Sequence, residues 1–181
     1  MILDSQNTIG LVIDLQERIV SAMSNRDEVL ANSAKLVSGL NILGIECLVS
    51  QQYTKGLGDT LSEISSIFQQ FSFIDKKEFS CMQNKEFGEK LKANSGIKNI
   101  IICGVEAHVC VLQTAVDLKQ ADYNPIVVVD CIDSRRSYDK TYAIERFKHE
   151  GIHLATYESV LFEIVKTAGH DRFRDISKLI K

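Results

Sequence analysis

Apolar positions along this chain fall into two rhythms that alternate from end to end. The run at 8–13, Thr-Ile-Gly-Leu-Val-Ile, is short and almost unbroken, the pattern of a strand buried on both faces. Over 27–43, Val29, Leu30, Leu36, Val37, Leu40 and Leu43 recur at helical spacing, and Gly44 supplies the stop. The same reading predicts strands at 46–50, 71–75, 98–103, 126–130 and 152–156. Helices are expected at 61–68, 84–94, 107–120, 139–150 and 157–165, with a short terminal helix at 171–181. A loop carrying Gly56 and Gly58 should follow the second strand.

Strands separated by crossover-length helices imply an α/β fold: three α-β-α layers around a mostly parallel, Rossmann-like sheet of about six strands. No repeat, linker or low-complexity segment breaks the pattern, so 1–181 reads as a single domain. Ligands of such sheets bind at the carboxyl ends of the strands. That rule filters the polar residues. Asp14 ends the first strand; Gln51, Gln52 and Tyr53 follow the second; Lys76 and Lys77 follow the third. Cys110 lies just beyond the fourth, and Asp130 ends the fifth, with Ser134, Arg135 and Arg136 after it.

Cys110 stands out among these. The apolar run Asn99-Ile100-Ile101-Ile102-Cys103 leads into Gly104-Val105-Glu106-Ala107-His108-Val109-Cys110. A strand ending in a glycine-led turn would place this cysteine in the first turn of a helix. Unpaired N–H groups and the positive dipole end there favour a thiolate. His108 is its near neighbour in sequence, but residues so close on a helix do not face each other, so it is poorly placed as a base.

Composition narrows the choice of function. The net charge of −3, with basic residues scattered, argues against a nucleic-acid partner. No apolar stretch approaches the about 20 residues that span a bilayer, and the first six residues lack a secretory pattern, so a cytoplasmic location is expected. The five cysteines (47, 81, 103, 110 and 131) are odd in number and contain no CxxC pair, against a disulfide framework or structural zinc. Singly, each candidate has a plainer explanation. Asp14 could cap a helix, Lys76 could be a solvated charge in Asp75-Lys76-Lys77-Glu78, and Cys110 could be a small core residue.

Together the three change the weighing. Val12-Ile13-Asp14-Leu15-Gln16, Gln52-Tyr53-Thr54-Lys55-Gly56-Leu57-Gly58, Lys76-Lys77-Glu78-Phe79-Ser80 and Gly104-Val105-Glu106-Ala107-His108-Val109-Cys110 occur in that order. This pattern resembles the isochorismatase-like cysteine hydrolases, which include nicotinamidases, N-carbamoylsarcosine amidases and isochorismatases. The second and last segments are most similar to a branch whose substrates are poorly defined. The resemblance covers nearly the whole chain. It implies a catalytic triad of Asp14, Lys76 and Cys110, with Lys76 preferred to Lys77 because the family lysine stands three residues before the Phe of Phe-Ser. It also implies a cis peptide between Val105 and Glu106 that aims backbone N–H groups, those of Ala107 and Cys110, at a substrate oxygen.

The chain departs from the nicotinamidase pattern in one respect. Residues 50–55 contain no histidine, so no metal and no other cofactor is expected. The implied activity is cysteine-dependent hydrolysis of a non-peptide C–N bond in a small molecule, through a thioester. Alternatives are vinyl-ether hydrolysis, which needs no thiolate, and a non-catalytic oligomeric scaffold or binding protein. Gln52, Tyr53, Phe79 and Arg135 are candidates for the pocket wall or, equally, loop anchors. The resemblance further implies a homo-oligomer, while the composition leads to neither nucleic acid nor membrane being expected as partner.

Overall fold

A computed structural model describes residues 3–94 and 96–181. Six strands form one sheet: β1 (Thr8–Ile13), β2 (Cys47–Gln52), β3 (Ile74–Lys76), β4 (Asn99–Val105), β5 (Asn124–Asp133) and β6 (His153–Ala155). Their order is β3-β2-β1-β4-β5-β6 and every neighbouring pair is parallel. The long helices are α2 (Arg26–Ile42), α5 (Lys85–Ala93), α6 (Leu112–Gln120), α7 (Ser137–His149), α8 (Tyr157–Val165) and α9 (Phe173–Ile180). Single turns α1 (Glu17–Val20), α3 (Thr54–Leu57) and α4 (Ser62–Ser65) lie in the connections after β1 and β2.

The strand period of two divides the core into two layers. Val12, Val49, Ile101 and Cys103 pack against Leu36, Val37 and Leu40 of α2, Leu161 and Ile164 of α8 and Ile176 of α9. Ile9, Leu11, Ile13, Ile100 and Ile102 point the other way, onto Phe87 and Leu91 of α5, Leu118 of α6 and Phe147 of α7. The continuously apolar strands thus have both faces covered, which makes this the expected three-layer α/β architecture.

Several boundaries differ from the sequence reading. The third strand is 74–76 rather than 71–75, so Lys76 ends it instead of following it. The stretch at 61–68 is helical only over Ser62–Ser65, and the glycine-bearing loop contains the turn Thr54–Leu57. The fifth strand runs on to Asp133 through a bulge. Ile102 pairs with Val127, but Gly104 pairs with Ile132, so β5 carries three surplus residues. The alternation changes phase there, and Cys131 joins the layer of Val128. Asp130 is therefore internal to β5. Its carboxylate accepts the Tyr157 N–H at 3.0 Å and caps α8.

The strand order reverses between β1 and β4, so connections leave their carboxyl ends in opposite directions and open a crevice. Asp14 follows β1, and a turn after β4 leads to Cys110. β3 lies two strands from β1 on the same edge.

Candidate active site

Asp14 takes a left-handed backbone conformation (φ 56°) immediately after β1. That region is uncommon for residues other than glycine, though Asp and Asn tolerate it best. The carboxylate is buried. Its Oδ1 accepts the Ser50 hydroxyl at 2.8 Å, and its Oδ2 accepts the Lys76 ammonium at 2.7 Å.

Lys76 belongs to β3, two inter-strand spacings or about 10 Å from β1. Only a long side chain can cross that gap. The Lys76 Nζ reaches past β2, where it also donates to Gln52 Oε1 at 2.7 Å and to the Glu78 and Phe79 carbonyls at 3.3 Å each. It is 1 % exposed, which for a lysine demands such a complete set of acceptors. Burial alone would lower its pKa. The Asp14 charge and its hydrogen bond, together with the ionised forms of Cys81 and Cys110, outweigh burial and the net shift is upward.

The turn bearing Cys110 depends on two backbone features. Gly104 sits at φ +143°, and a Cβ there would lie 2.2 Å from the Ile13 carbonyl oxygen, so β1 and β4 can close up only around glycine. Glu106 then reverses the chain with φ 58° and ψ 59°. Its carbonyl accepts both the Val109 N–H at 2.8 Å and the Val111 N–H at 3.4 Å, making Ala107–Val111 a π-type turn that leads into α6. The expected cis peptide at Val105–Glu106 is absent, since the described residues contain no cis bond. A trans bond avoids a cost of about 3 kcal/mol, and the left-handed Glu106 accomplishes the reversal instead. Val105 and Ala107 are buried on either side of it.

Cys110 is 5 % exposed. Burial, reinforced by the Asp14 charge, pushes its thiol well above the ordinary cysteine range, while Lys76 pulls the other way. The expectation of a resting thiolate is thereby overturned: desolvation and a nearby carboxylate outweigh the helix start. Burial thus favours the thiol form of Cys110. Cys81 is buried behind the same group, its backbone N–H donating to Thr114 Oγ1 at 3.0 Å. Its thiol is pushed up to about 11, by burial first and then by Asp14.

Asp14 and Cys110 line one cavity of about 350 Å³, with Gln52, Phe79, Glu106, Arg135 and Arg18. Ile19, Ala22, Leu57 and Val109 give it an apolar wall. Three of the four pocket candidates named from sequence therefore meet there. Tyr53 does not. It is 47 % exposed, left-handed at φ 39°, and its ring stacks over Gly56. His108 bonds Ser134 Oγ through Nδ1 at 3.0 Å and lies 3.5 Å from Glu106 Oε2, on the outer side of the turn. Sequence reasoning missed Arg18 and Ser50. The signal for Ser50 was a polar residue closing an apolar strand beside the Asp14 strand; Arg18, in an unrecognised single turn, offered none.

Gln16 fixes the floor between β1 and β2. Fully buried, it donates to the Gln52 and Gly58 carbonyls at 3.1 and 2.6 Å and accepts the Gln52 N–H at 2.6 Å.

Comparison with known proteins bears on the family and the fold. Residues 8–159 match the family model for the isochorismatase domain. Isochorismatase domain-containing protein 1 of Danio rerio is 35% identical over 99% of this chain, and the chain spans 62% of that relative's length. Among solved structures, the MAR1 ribonuclease from Caenorhabditis elegans superposes with a TM-score of 0.93 at 34% identity, covering 99% of this chain and 92% of that one. The YcaC gene product of Escherichia coli, described as an octameric hydrolase of unknown specificity, reaches a TM-score of 0.93 at 22% identity, over 99% of this chain and 89% of its own, a likeness of fold. By its matched domain, its relatives and its fold, this chain belongs to the isochorismatase family.

Proposed function

We propose that this protein is a cysteine hydrolase that cleaves a non-peptide C–N bond in a small molecule, with Cys110 as nucleophile, Asp14 as proton shuttle and Lys76 as the cation paired with Asp14. The observation that carries the reading is the buried Asp14–Lys76 pair (2.7 Å), whose Asp14 lines a cavity together with Cys110. A buried ion pair contributes little net stability, because desolvation offsets the Coulombic gain. Its presence beside a thiol is better accounted for by chemistry.

In this scheme the substrate carbonyl enters over Cys110. The Cys110 Sγ attacks the carbonyl carbon as its proton passes to Asp14, forming the C–S bond and an oxyanion. Backbone N–H groups at the start of the 107–111 turn stabilise that oxyanion; one such donor is worth about 3 kcal/mol in comparable enzymes. Collapse breaks the C–N bond, and Asp14 returns its proton to the leaving nitrogen. Water, deprotonated by Asp14, then attacks the thioester carbonyl. The C–S bond breaks, the acid product leaves, and the proton on Asp14 restores the thiol. The raised pKa of Lys76 suits a fixed charge rather than a proton donor.

The test is ammonia release from a panel of small primary amides by the wild type and Cys110→Ala. Release that vanishes in the variant supports the scheme. Undiminished release eliminates it and favours chemistry independent of the thiol, such as vinyl-ether hydrolysis. We also propose assembly as a homo-oligomer, tested by light scattering.

A further inference from the structure

We propose that Ser50 is a positioning residue for Asp14: its hydroxyl fixes the carboxylate so that the side left free is turned to Cys110. This rests on the hydrolase reading and adds a residue to its machinery.

β2 changes character along its length, from Cys47-Leu48-Val49 to Ser50-Gln51-Gln52. The change falls level with the end of β1, where Ile13 pairs with Ser50. On its other side Ser50 pairs with Ile74 of β3. Its backbone is thus held between two strands, and the hydroxyl hangs from it by one rotatable bond. Such a mount keeps a polar group in one place at little entropic cost.

Ser50 grips Asp14 twice. Its carbonyl accepts the Asp14 N–H at 3.2 Å, and its hydroxyl donates to Oδ1 at 2.8 Å. The first contact supports the left-handed backbone at φ 56°; the second sets the rotation of the carboxylate. Lys76 takes Oδ2 at 2.7 Å. Both donors come from the β2–β3 side of β1, whereas Cys110 follows β4 on the other side. With each oxygen engaged from one side, lone pairs remain for the side of the thiol. Gln52, two residues on and so on the same face of β2, accepts the Lys76 Nζ at 2.7 Å. The strand between the two charges therefore holds each of them.

Ser50 is buried and is not among the residues that line the cavity, so it acts through Asp14 and not on a substrate. Without the hydroxyl, Oδ1 loses its donor and the carboxylate can turn about Oδ2. Its charge then bears on Cys110 less compensated, which holds the proton on sulfur more firmly.

The test compares Ser50→Ala and Ser50→Cys, which lack a strong donor, with Ser50→Thr, which keeps the hydroxyl. Two rates are read. One is ammonia release from whichever primary amide of the panel the wild type hydrolyses fastest. The other is alkylation of Cys110 by iodoacetamide at pH 8, followed by peptide mass spectrometry. Ser50→Ala should lower kcat at least about tenfold, the size of one hydrogen bond to a charged group, and leave KM within about twofold. Its Cys110 should be alkylated about threefold more slowly, equal to half a pKa unit. Ser50→Cys should behave like Ser50→Ala and replaces it if that variant does not fold. Ser50→Thr should recover both rates. Thermal midpoints within about 5 °C of the wild type show that the Asp14–Lys76 pair still stands.

Wild-type rates in Ser50→Ala overturn the positioning role. So does a raised KM at unchanged kcat, which makes Ser50 a substrate contact. A loss that Ser50→Thr shares does the same, since shape and not the hydroxyl then decides. Slower alkylation in Ser50→Ala, with no ammonia release by the wild type, keeps the positioning role and removes the hydrolase reading. Ammonia release at the same kcat by wild type and Ser50→Ala does the reverse.

Discussion

The two ends of this sheet handle buried polar groups in opposite ways. At the amino end, Asn99 donates to Asn7 Oδ1 at 2.8 Å and to Thr8 Oγ1 at 3.3 Å, Asn124 donates to Asn99 Oδ1 at 3.1 Å, and Thr8 Oγ1 closes on the Asp4 carbonyl at 2.6 Å. This ladder is neutral and its members satisfy one another. At the carboxyl end the polar groups are a buried ion pair and a thiol raised by burial. Three residues that follow strands there (Asp14, Tyr53 and Glu106) have left-handed backbones. Among the described residues two further non-glycine residues have positive φ: Asp122, just past the end of α6, and Lys166, which ends α8 with ψ −36°. A polar residue at a strand end is therefore no mark of function by itself. Charge without water, combined with backbone strain, is.

The largest effect should come from the reacting atom. Cys110→Ala should lower amide turnover by at least about a thousandfold while the thermal midpoint stays near that of the wild type. Calorimetry alongside the assay checks both halves. Next is Lys76→Met, which leaves Asp14 as a buried charge without its cation and should cost about 3–5 kcal/mol in chemical denaturation. Adding Asp14→Asn should restore part of that loss, because the stranded charge is then gone. Linkage gives the pH dependence of the same pair. The folded-state pKa of Lys76 is raised, so its contribution is complete below the free lysine range and is lost as pH rises through the raised value. Stability measured from pH 8 upward should fall more steeply in the wild type than in the double variant.

Asp14→Asn alone separates reactivity from catalysis. With the carboxylate gone, Lys76 acts on the thiol unopposed, and the Cys110 pKa should drop. Alkylation by iodoacetamide at neutral pH should then speed up although turnover stops. A slower reaction would show that Asp14 does not hold the proton on sulfur. At the other end of the sheet, Asn99→Ala should cost about 1–3 kcal/mol in denaturation and leave kcat/KM unchanged. The smallest effect is expected for Tyr53→Phe, within about 0.5 kcal/mol and with unaltered kinetics, since its ring lies outside the cavity.

Regular elements were legible from periodicity. The bounds of β1 and α8, and the register of apolar positions in α2, need only local patterns of apolar residues. The third strand was misplaced because Phe71 and Phe73 look like strand residues, whereas pairing with Ser50 and Gln52 puts the strand at 74–76. The length of β5 was hidden because a bulge is an agreement between two strands, not a property of one. The family motifs led to Asp14, Lys76 and Cys110, residues from three segments now found at one sheet edge. Nothing local could say that Lys76 spans β2, that Cys110 is too buried to rest as a thiolate, or that Arg18 turns toward the same cavity. Those are facts of tertiary packing.

The central pairing of the sheet joins residue 8 to residue 99, and β1 meets β4 along its whole length. The cavity cannot exist until that pairing, and the outer pairing of β2 with β3, have both formed. Such distant contacts make folding slow and place assembly of the site late. Shielding of the Cys110 thiol during refolding is thus a clock: it should lag behind helix formation and mark the moment at which the first and second halves of the chain have found each other.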